Sequence, residues 1–211
     1  MSIGIPIGEA GVLMRNTSWQ QYVDLRDSDE YRTIRMTFDR GELELMSPTR
    51  LHERVNFLIG HCIIAWVDAM RIPFQGCGST TFRREDLQRG LEPDNCYYIE
   101  NESAVRERDE VDLTIDPPPD LVVEVDVTSS SIDRIPMYLA LGVPEIWRWH
   151  NDAVHVLVLS PENQYVEVVA SRALPGFPIE RMVELLKRRN SADGMTLIRE
   201  FRDWCRPHSK E

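Results

Sequence analysis

The stretch Pro117-Pro-Pro-Asp-Leu-Val-Val-Glu-Val-Asp-Val127 decides how the rest of this chain is read. Three prolines stop any helix or ladder that precedes them, and a run of β-branched and apolar residues begins at once. Two carboxylates, Glu124 and Asp126, are set into that run. Residues two apart on a strand point to one face, so both acids leave the same side of the same sheet. Ionised groups on an apolar strand need a metal ion, a basic partner or water in a cleft to offset their desolvation. A solvent-facing edge strand would carry such acids at no cost. Val122 shares their face, however, and both faces hold apolar residues, which favours a half-buried strand opening into a site.

Around this strand the chain has 211 residues, enough for one substantial core and marginal for two. No apolar run approaches the roughly 18 residues of a membrane span. The stretch Met1–Met14 lacks a basic first segment and carries Glu9, so it does not read as a signal peptide. The four cysteines, Cys62, Cys77, Cys96 and Cys205, show no C-x-x-C spacing and are expected as reduced, mostly buried thiols in a cytoplasmic protein. The net charge of -11 gives no basic field on average. Any hold on a nucleic-acid backbone must therefore rest on a local basic cluster, a metal or a transient encounter.

Upstream of the strand, residues 1–16 lack periodicity and read as a loose arm. A helix is predicted over Trp19–Arg26, capped by Ser18 or Thr17, followed by a hairpin of Arg32–Phe38 and Glu42–Met46 around Asp39-Arg-Gly41. On the second arm Leu43 and Leu45 share one face, and Glu42 and Glu44 the other. From Thr49 to about Met70, apolar residues recur at spacings of three and four in one wide stripe, long enough to lay a helix across a sheet. His52 and Asn56 sit one turn apart beside that stripe. Ile72–Phe82 reads as one or two strands, charged Arg83–Arg89 as a loop, Asn95–Ile99 as a short strand behind Pro93-Asp94, and Asn101–Val111 as a small surface helix or loop.

Downstream, Thr128-Ser-Ser-Ser131 reads as turn and capping chemistry, since no adjacent histidine would activate a serine. A helix through Leu141 follows, with Asp133 as N-cap, Arg134 as first helical residue and Pro136 in the first turn. Three more strands are predicted at Glu145–Trp149, Ala153–Leu159 and Tyr165–Ala170, then a helix over Ile179–Arg189 and another in the tail. His150 and His155 flank a turn and read as surface or pairing residues. The interleaving gives one α/β (α+β) domain over 17–190, with 191–211 as a helical extension.

Several familiar kinds of chemistry are absent: there is no Gly-rich phosphate loop, G-x-S-x-G elbow, H-E-x-x-H helix or spaced Cys/His cluster. What remains is a set of acids at element ends, namely Asp94, Glu124, Asp126, Glu42 and Glu44. Carboxylates alone select hard cations such as Mg²⁺ or Mn²⁺ over zinc. Such an ion activates water and polarises a phosphodiester. Arg134, at a helix start just past the strand, is placed to hold phosphate.

In order and spacing, Gly41-Glu-Leu-Glu-Leu-Met-Ser-Pro48, His52-Glu53, Glu92-Pro-Asp94, Pro119-Asp-Leu-Val-Val-Glu124 and Tyr138-x-x-x-Gly-Val-Pro-Glu145 resemble the bacterial Uma-two family. The resemblance runs from about Trp19 to Leu186. It implies a restriction-endonuclease-like, PD-(D/E)XK fold, with a mixed central sheet flanked by helices and preceded by an N-terminal helix and hairpin. It implies that Asp94 and Glu124 hold a Mg²⁺ or Mn²⁺ ion with the Val125 carbonyl, and that Glu44 (or Glu42) and His52 flank the site. Asp126 stands where many nucleases of the wider superfamily carry lysine. The basic residue of this family is usually a lysine four positions before a tyrosine; here Arg134 precedes Tyr138. Arginine does not act as a base but still clamps phosphate in a fork.

The function these residues point to is a metal-dependent endonuclease hydrolysing DNA phosphodiester bonds. DNA is expected as a transient partner, no membrane is expected, and a homodimer is expected by analogy with fold relatives that cut both strands. The alternatives are a catalytically idle relative acting as a binding module, and a metal-dependent hydrolase with another substrate.

Overall fold

The computed structural model describes residues 11–127 and 130–208. Strand β1 (Gly11–Arg15) leads into helix α1 (Trp19–Arg26), whose start carries a complete capping box: Gln21 N donates to Ser18 Oγ, and Ser18 N donates to Gln21 Oε1. Strands β2 (Arg35–Asp39) and β3 (Glu42–Met46) form the expected hairpin, turned by Arg40 and Gly41 at positive φ. Thr49 caps the long helix α2 (Arg50–Met70), and Arg71 ends it in the left-handed conformation. Next come β4 (Gln75–Gly76), β5 (Phe82–Arg84), β6 (Arg89–Leu91), β7 (Asn95–Tyr98) and the short helix α3 (Glu102–Val105). The opening stretch is strand β8 (Leu121–Asp126), followed by α4 (Ile135–Leu141). The chain finishes with β9 (Glu145–His150), β10 (Ala153–Leu159), β11 (Tyr165–Val168), α5 (Ile179–Lys187) and α6 (Gly194–His208).

Two sheets result. One is antiparallel, in the order β1-β3-β2-β6-β5; the other is mixed, in the order β11-β10-β9-β8-β7-β4. Within the second, β8 and β9 run parallel and the other pairs antiparallel. A parallel neighbour requires a crossover, and α4 supplies it. The mixed central sheet expected from the sequence is this second sheet.

The two faces of β8 belong to different cores. Leu121, Val123 and Val125 pack with the apolar stripe of α2 and with Trp147, Leu185 and Phe201, so α2, α5 and α6 cover that side. Val122 packs on the other side with Phe82, Leu91, Met137, Tyr138 and Ile146. Glu124 shares the Val122 face, so it projects into the space between β8, α4 and the antiparallel sheet. A third cluster, Tyr22, Met36, Phe38 and Leu43, ties α1 to the hairpin, with the Tyr22 and Phe38 rings stacked 5.1 Å apart. No described helix is long and apolar enough to cross a membrane.

Four expectations change. The supposed arm 1–16 is a strand from Gly11 to Arg15, paired in register with β3; Leu13 and Met14 enter different cores, so neither face alternates with polar residues. Residues 1–10 lie outside the described set, as do Thr128, Ser129 and the last three residues. The charged segment 83–89 is not a loop but a β5–β6 hairpin, because only Phe82 and Leu91 need to turn inward while Arg83, Arg84 and Arg89 face water or acids. Helix α4 begins at Ile135 with Arg134 at the cap position, and Asp133 Oδ1 accepts from Ile135 N at 3.1 Å. Helix α6 is no appendage, since Leu197, Ile198, Phe201 and Cys205 are buried in the same core as α2. All four cysteines are free.

Gly90 marks where the antiparallel sheet meets α1. A methyl group there would come within 2.3 Å of the Tyr22 hydroxyl and 2.5 Å of its ring, and Tyr22 has no exposed surface along which to retreat. Gly90→Ala is expected to lower the unfolding free energy by roughly 1–3 kcal/mol, the cost of overpacking. Urea denaturation checks this; an unchanged midpoint would contradict the packing described.

Candidate active site

Glu124 is the most deeply committed acid of β8. Its side chain is buried, Arg134 Nη1 donates to Oε2 at 2.9 Å, and the Tyr138 hydroxyl donates to Oε1. Both donors come from one end of α4, where residues four apart lie on one helix face. Pro136 sits harmlessly in the first turn of that helix, and Gly142 ends it at positive φ.

Asp94 arrives from the neighbouring strand. The antiparallel pairing of Asn95 with Val123, taken one residue further, sets Asp94 opposite Glu124. Its Oδ2 accepts from Val125 N at 2.7 Å. Within one residue of a strand, N–H and C=O leave by the same edge, so the Val125 carbonyl also faces the Asp94 side. His52 Nε2 lies 2.9 Å from Asp94 Oδ2, in ion-pair contact without hydrogen-bond alignment. One turn along α2, Asn56 Nδ2 donates to the Asp94 carbonyl at 3.0 Å, and Arg35 Nη1 donates to the Pro93 carbonyl at 3.2 Å. The Pro93-Asp94 pair is thus gripped from β2, α2 and β8 together.

The hairpin supplies Glu44 and withholds Glu42. Glu44 is buried and accepts from Ser131 N at 2.6 Å and from the Ser130 hydroxyl, fastening the strap between β8 and α4. Glu42 lies outside, paired with Arg15. Asp126, at the open end of β8, is half-buried and takes a contact from Arg148 Nε on β9. The cleft formed by Glu124, Asp126, Ser131, Arg134, Arg148 and His150 has a volume of about 380 Å³. Glu124, Asp126 and Arg134 therefore meet there, Glu44 reaches it only through Ser130 and Ser131, and Asp94 lies beside Glu124 with His52 against it.

The electrostatics follow from burial and neighbours. Burial pushes the Glu124 carboxyl up to about 8; Asp94 and Asp126 push the same way, while Arg134 and Tyr138 oppose them. Burial also works against the Asp94 carboxylate, yet His52, Arg134 and the Val125 N–H hold it below the usual carboxylate range. Burial disfavours the His52 cation, but Asp94 more than offsets this and raises the ring above its ordinary value. Tyr138 is driven well up by burial and by Glu124, so it remains a donor. Burial works against the charge of Arg134, but Glu124, Tyr138, Asp94 and Glu44 hold its guanidinium firmly protonated.

The oxygen set fits a hard cation. Asp94 Oδ1 is buried with no hydrogen-bond partner, the kind of atom that an unmet ligand explains. Two carboxylates and a carbonyl suit Mg²⁺ or Mn²⁺, which are usually held by one or two carboxylates plus substrate phosphate. Among the described residues, no three or more His, Cys, Asp or Glu side chains gather into a group that could hold a metal by itself.

Arg35 and Arg148 carry no signal in the sequence, and Asn56 shows there only as the neighbour of His52 one turn along. Arg35 and Asn56 act on backbone carbonyls, which no spacing announces, and Arg148 looks like an ordinary outward residue of a strand. His155 does pair at the surface, with Glu167 at 2.8 Å, whereas His150 is exposed but lines the cleft.

A family model, Uma2, described as a putative restriction endonuclease, matches residues 19–188. Among solved structures, a putative nuclease belonging to DUF820 from Anabaena variabilis is similar at a TM-score of 0.56 and 13% identity, over 80% of this chain and 98% of that one. At that identity the likeness is one of fold. No curated protein matches.

The Glu124–Arg134 pair yields a stability cycle. Removing one partner of a buried ion pair strands the other, so Arg134→Met should cost roughly 3 kcal/mol. Combining it with Glu124→Gln should recover more than half of that loss in urea unfolding. Additive losses would mean that the two side chains are not coupled.

Proposed function

The chain belongs to the Uma2 family of putative restriction endonucleases, and from that membership and the site's geometry we propose that it is a divalent-cation-dependent endonuclease hydrolysing DNA phosphodiester bonds. The observation carrying this reading is the meeting of Asp94 and Glu124 from adjacent strands, with Asp94 Oδ1 buried and unpartnered. Asp94, Glu124 and the Val125 carbonyl would hold Mg²⁺ or Mn²⁺. A cation bound there would lower the pKa of a coordinated water and polarise the phosphodiester.

The chain's own residues do the positioning. His52 and Asn56 fix Asp94 through its carboxylate and its carbonyl. Arg134 and Tyr138 orient Glu124, so the acid is ordered before substrate arrives. Glu44, from the other sheet, holds Ser130 and Ser131 at the wall of the cleft. Arg134 supplies fixed positive charge behind the acids, and among the described residues no lysine lines the cleft as a general base. The chain's net charge of -11 makes the encounter with DNA brief and dependent on local cations. A homodimer would present two clefts, one for each strand.

A second reading, a non-catalytic binding module, is favoured by the Arg134 guanidinium, which already neutralises Glu124. Supercoiled plasmid incubated with Mn²⁺ or Mg²⁺ separates the two. Nicking by the wild type, abolished by chelator and by Asp94→Ala, supports the nuclease. Equal nicking by both proteins, or intact DNA with both, would sink it.

A further inference from the structure

Two arginines line the cleft, and they are in opposite situations. The Arg134 side chain is only 10% exposed, donates to Glu124, and feels the charges of Asp94 and Glu44 as well. Three acids neutralise it, and drawing it toward a substrate would leave Glu124 buried with less support. The Arg148 side chain is 46% exposed. Its strand runs parallel to β8 with Arg148 in register with Glu124, so the two side chains leave the same face of the sheet. Only its Nε is engaged, by Asp126; among the described residues the two terminal nitrogens have no partner. Asp126 thereby fixes one edge of the guanidinium, while Arg148 lines the cleft with the other edge unengaged.

We propose that Arg148 is the residue that binds the phosphodiester in this cleft, through its two terminal nitrogens and the non-bridging phosphate oxygens. A guanidinium is planar and presents parallel donors that match such oxygens in a bidentate fork. His150, opposite Asp126 in the same register, stands exposed beside it and widens the polar rim. The division of labour is then spatial: Arg134 holds an acid at the floor, and Arg148 holds the substrate at the mouth. This assignment rests on the nucleic-acid reading given above.

The test combines binding and cleavage. A short fluorescein-labelled duplex is titrated with wild type, Arg148→Gln, Arg148→Lys and the remote control Arg15→Gln, by anisotropy in Ca²⁺ at several salt concentrations. Losing one charge-assisted phosphate contact should weaken Arg148→Gln about tenfold and flatten its logarithmic salt dependence by about 0.9. Arg148→Lys should recover much of the affinity and the full salt slope, and Arg15→Gln should match wild type. Plasmid nicking in Mn²⁺ should fall with affinity. Wild-type binding by Arg148→Gln overturns the proposal even if the wild type cuts DNA. Binding that depends on Arg148 without any cleavage upholds the contact and removes the nuclease reading instead. A wild type that neither binds nor cuts removes both.

Discussion

Glu124 stands on a strand whose two faces are packed, and the chain has to keep an acid there. The solution is a pair of donors from α4, Arg134 and Tyr138, each taking one carboxylate oxygen. Much of the architecture can be traced to that requirement. The crossover helix must begin close to the end of β8, so the strap between them is short and needs an anchor, which Glu44 provides from the other sheet. The donors must reach inward from one helix face, which four-residue spacing and a proline in the first turn make possible.

Asp94 is held by different means. It is as buried as Glu124, but it accepts from a backbone N–H and lies against His52, so its carboxyl is lowered while that of Glu124 is raised. Two acids side by side in opposite electrostatic situations leave one buried oxygen, Asp94 Oδ1, without a hydrogen-bond partner. A divalent cation is the simplest supplement. It would also relieve the mutual repulsion of the acids, which protein donors alone only partly offset.

The sequence made the elements legible where periodicity was strong. The 21-residue α2 and the alternating β2–β3 hairpin declared themselves, and so did β8, because prolines and β-branched residues frame it. Segments whose inward residues are few or unpatterned were hidden: β1 contributes to two cores at once, and the β5–β6 hairpin buries little beyond Phe82 and Leu91. The acids of the site were readable from strand ends and from the family's spacing. Which of them are held, and by what, was not. Glu42 and Glu44 share one face of β3, and only Ser130 and Ser131 packing on Glu44 distinguish the buried acid from the exposed one. The Asp126–Arg148 contact spans 22 residues and depends on a parallel register that one sequence does not reveal.

On the proposed function, Asp94 and Glu124 form a cation site behind a substrate cleft. Crystals soaked in Mn²⁺ and measured at a wavelength that makes manganese scatter anomalously test it most directly. A single anomalous peak within ligand distance of Asp94 Oδ1, a Glu124 oxygen and the Val125 carbonyl is the predicted result. No peak there, with Arg134 still seated on Glu124, would contradict it and leave the chain as a nuclease fold without its metal centre.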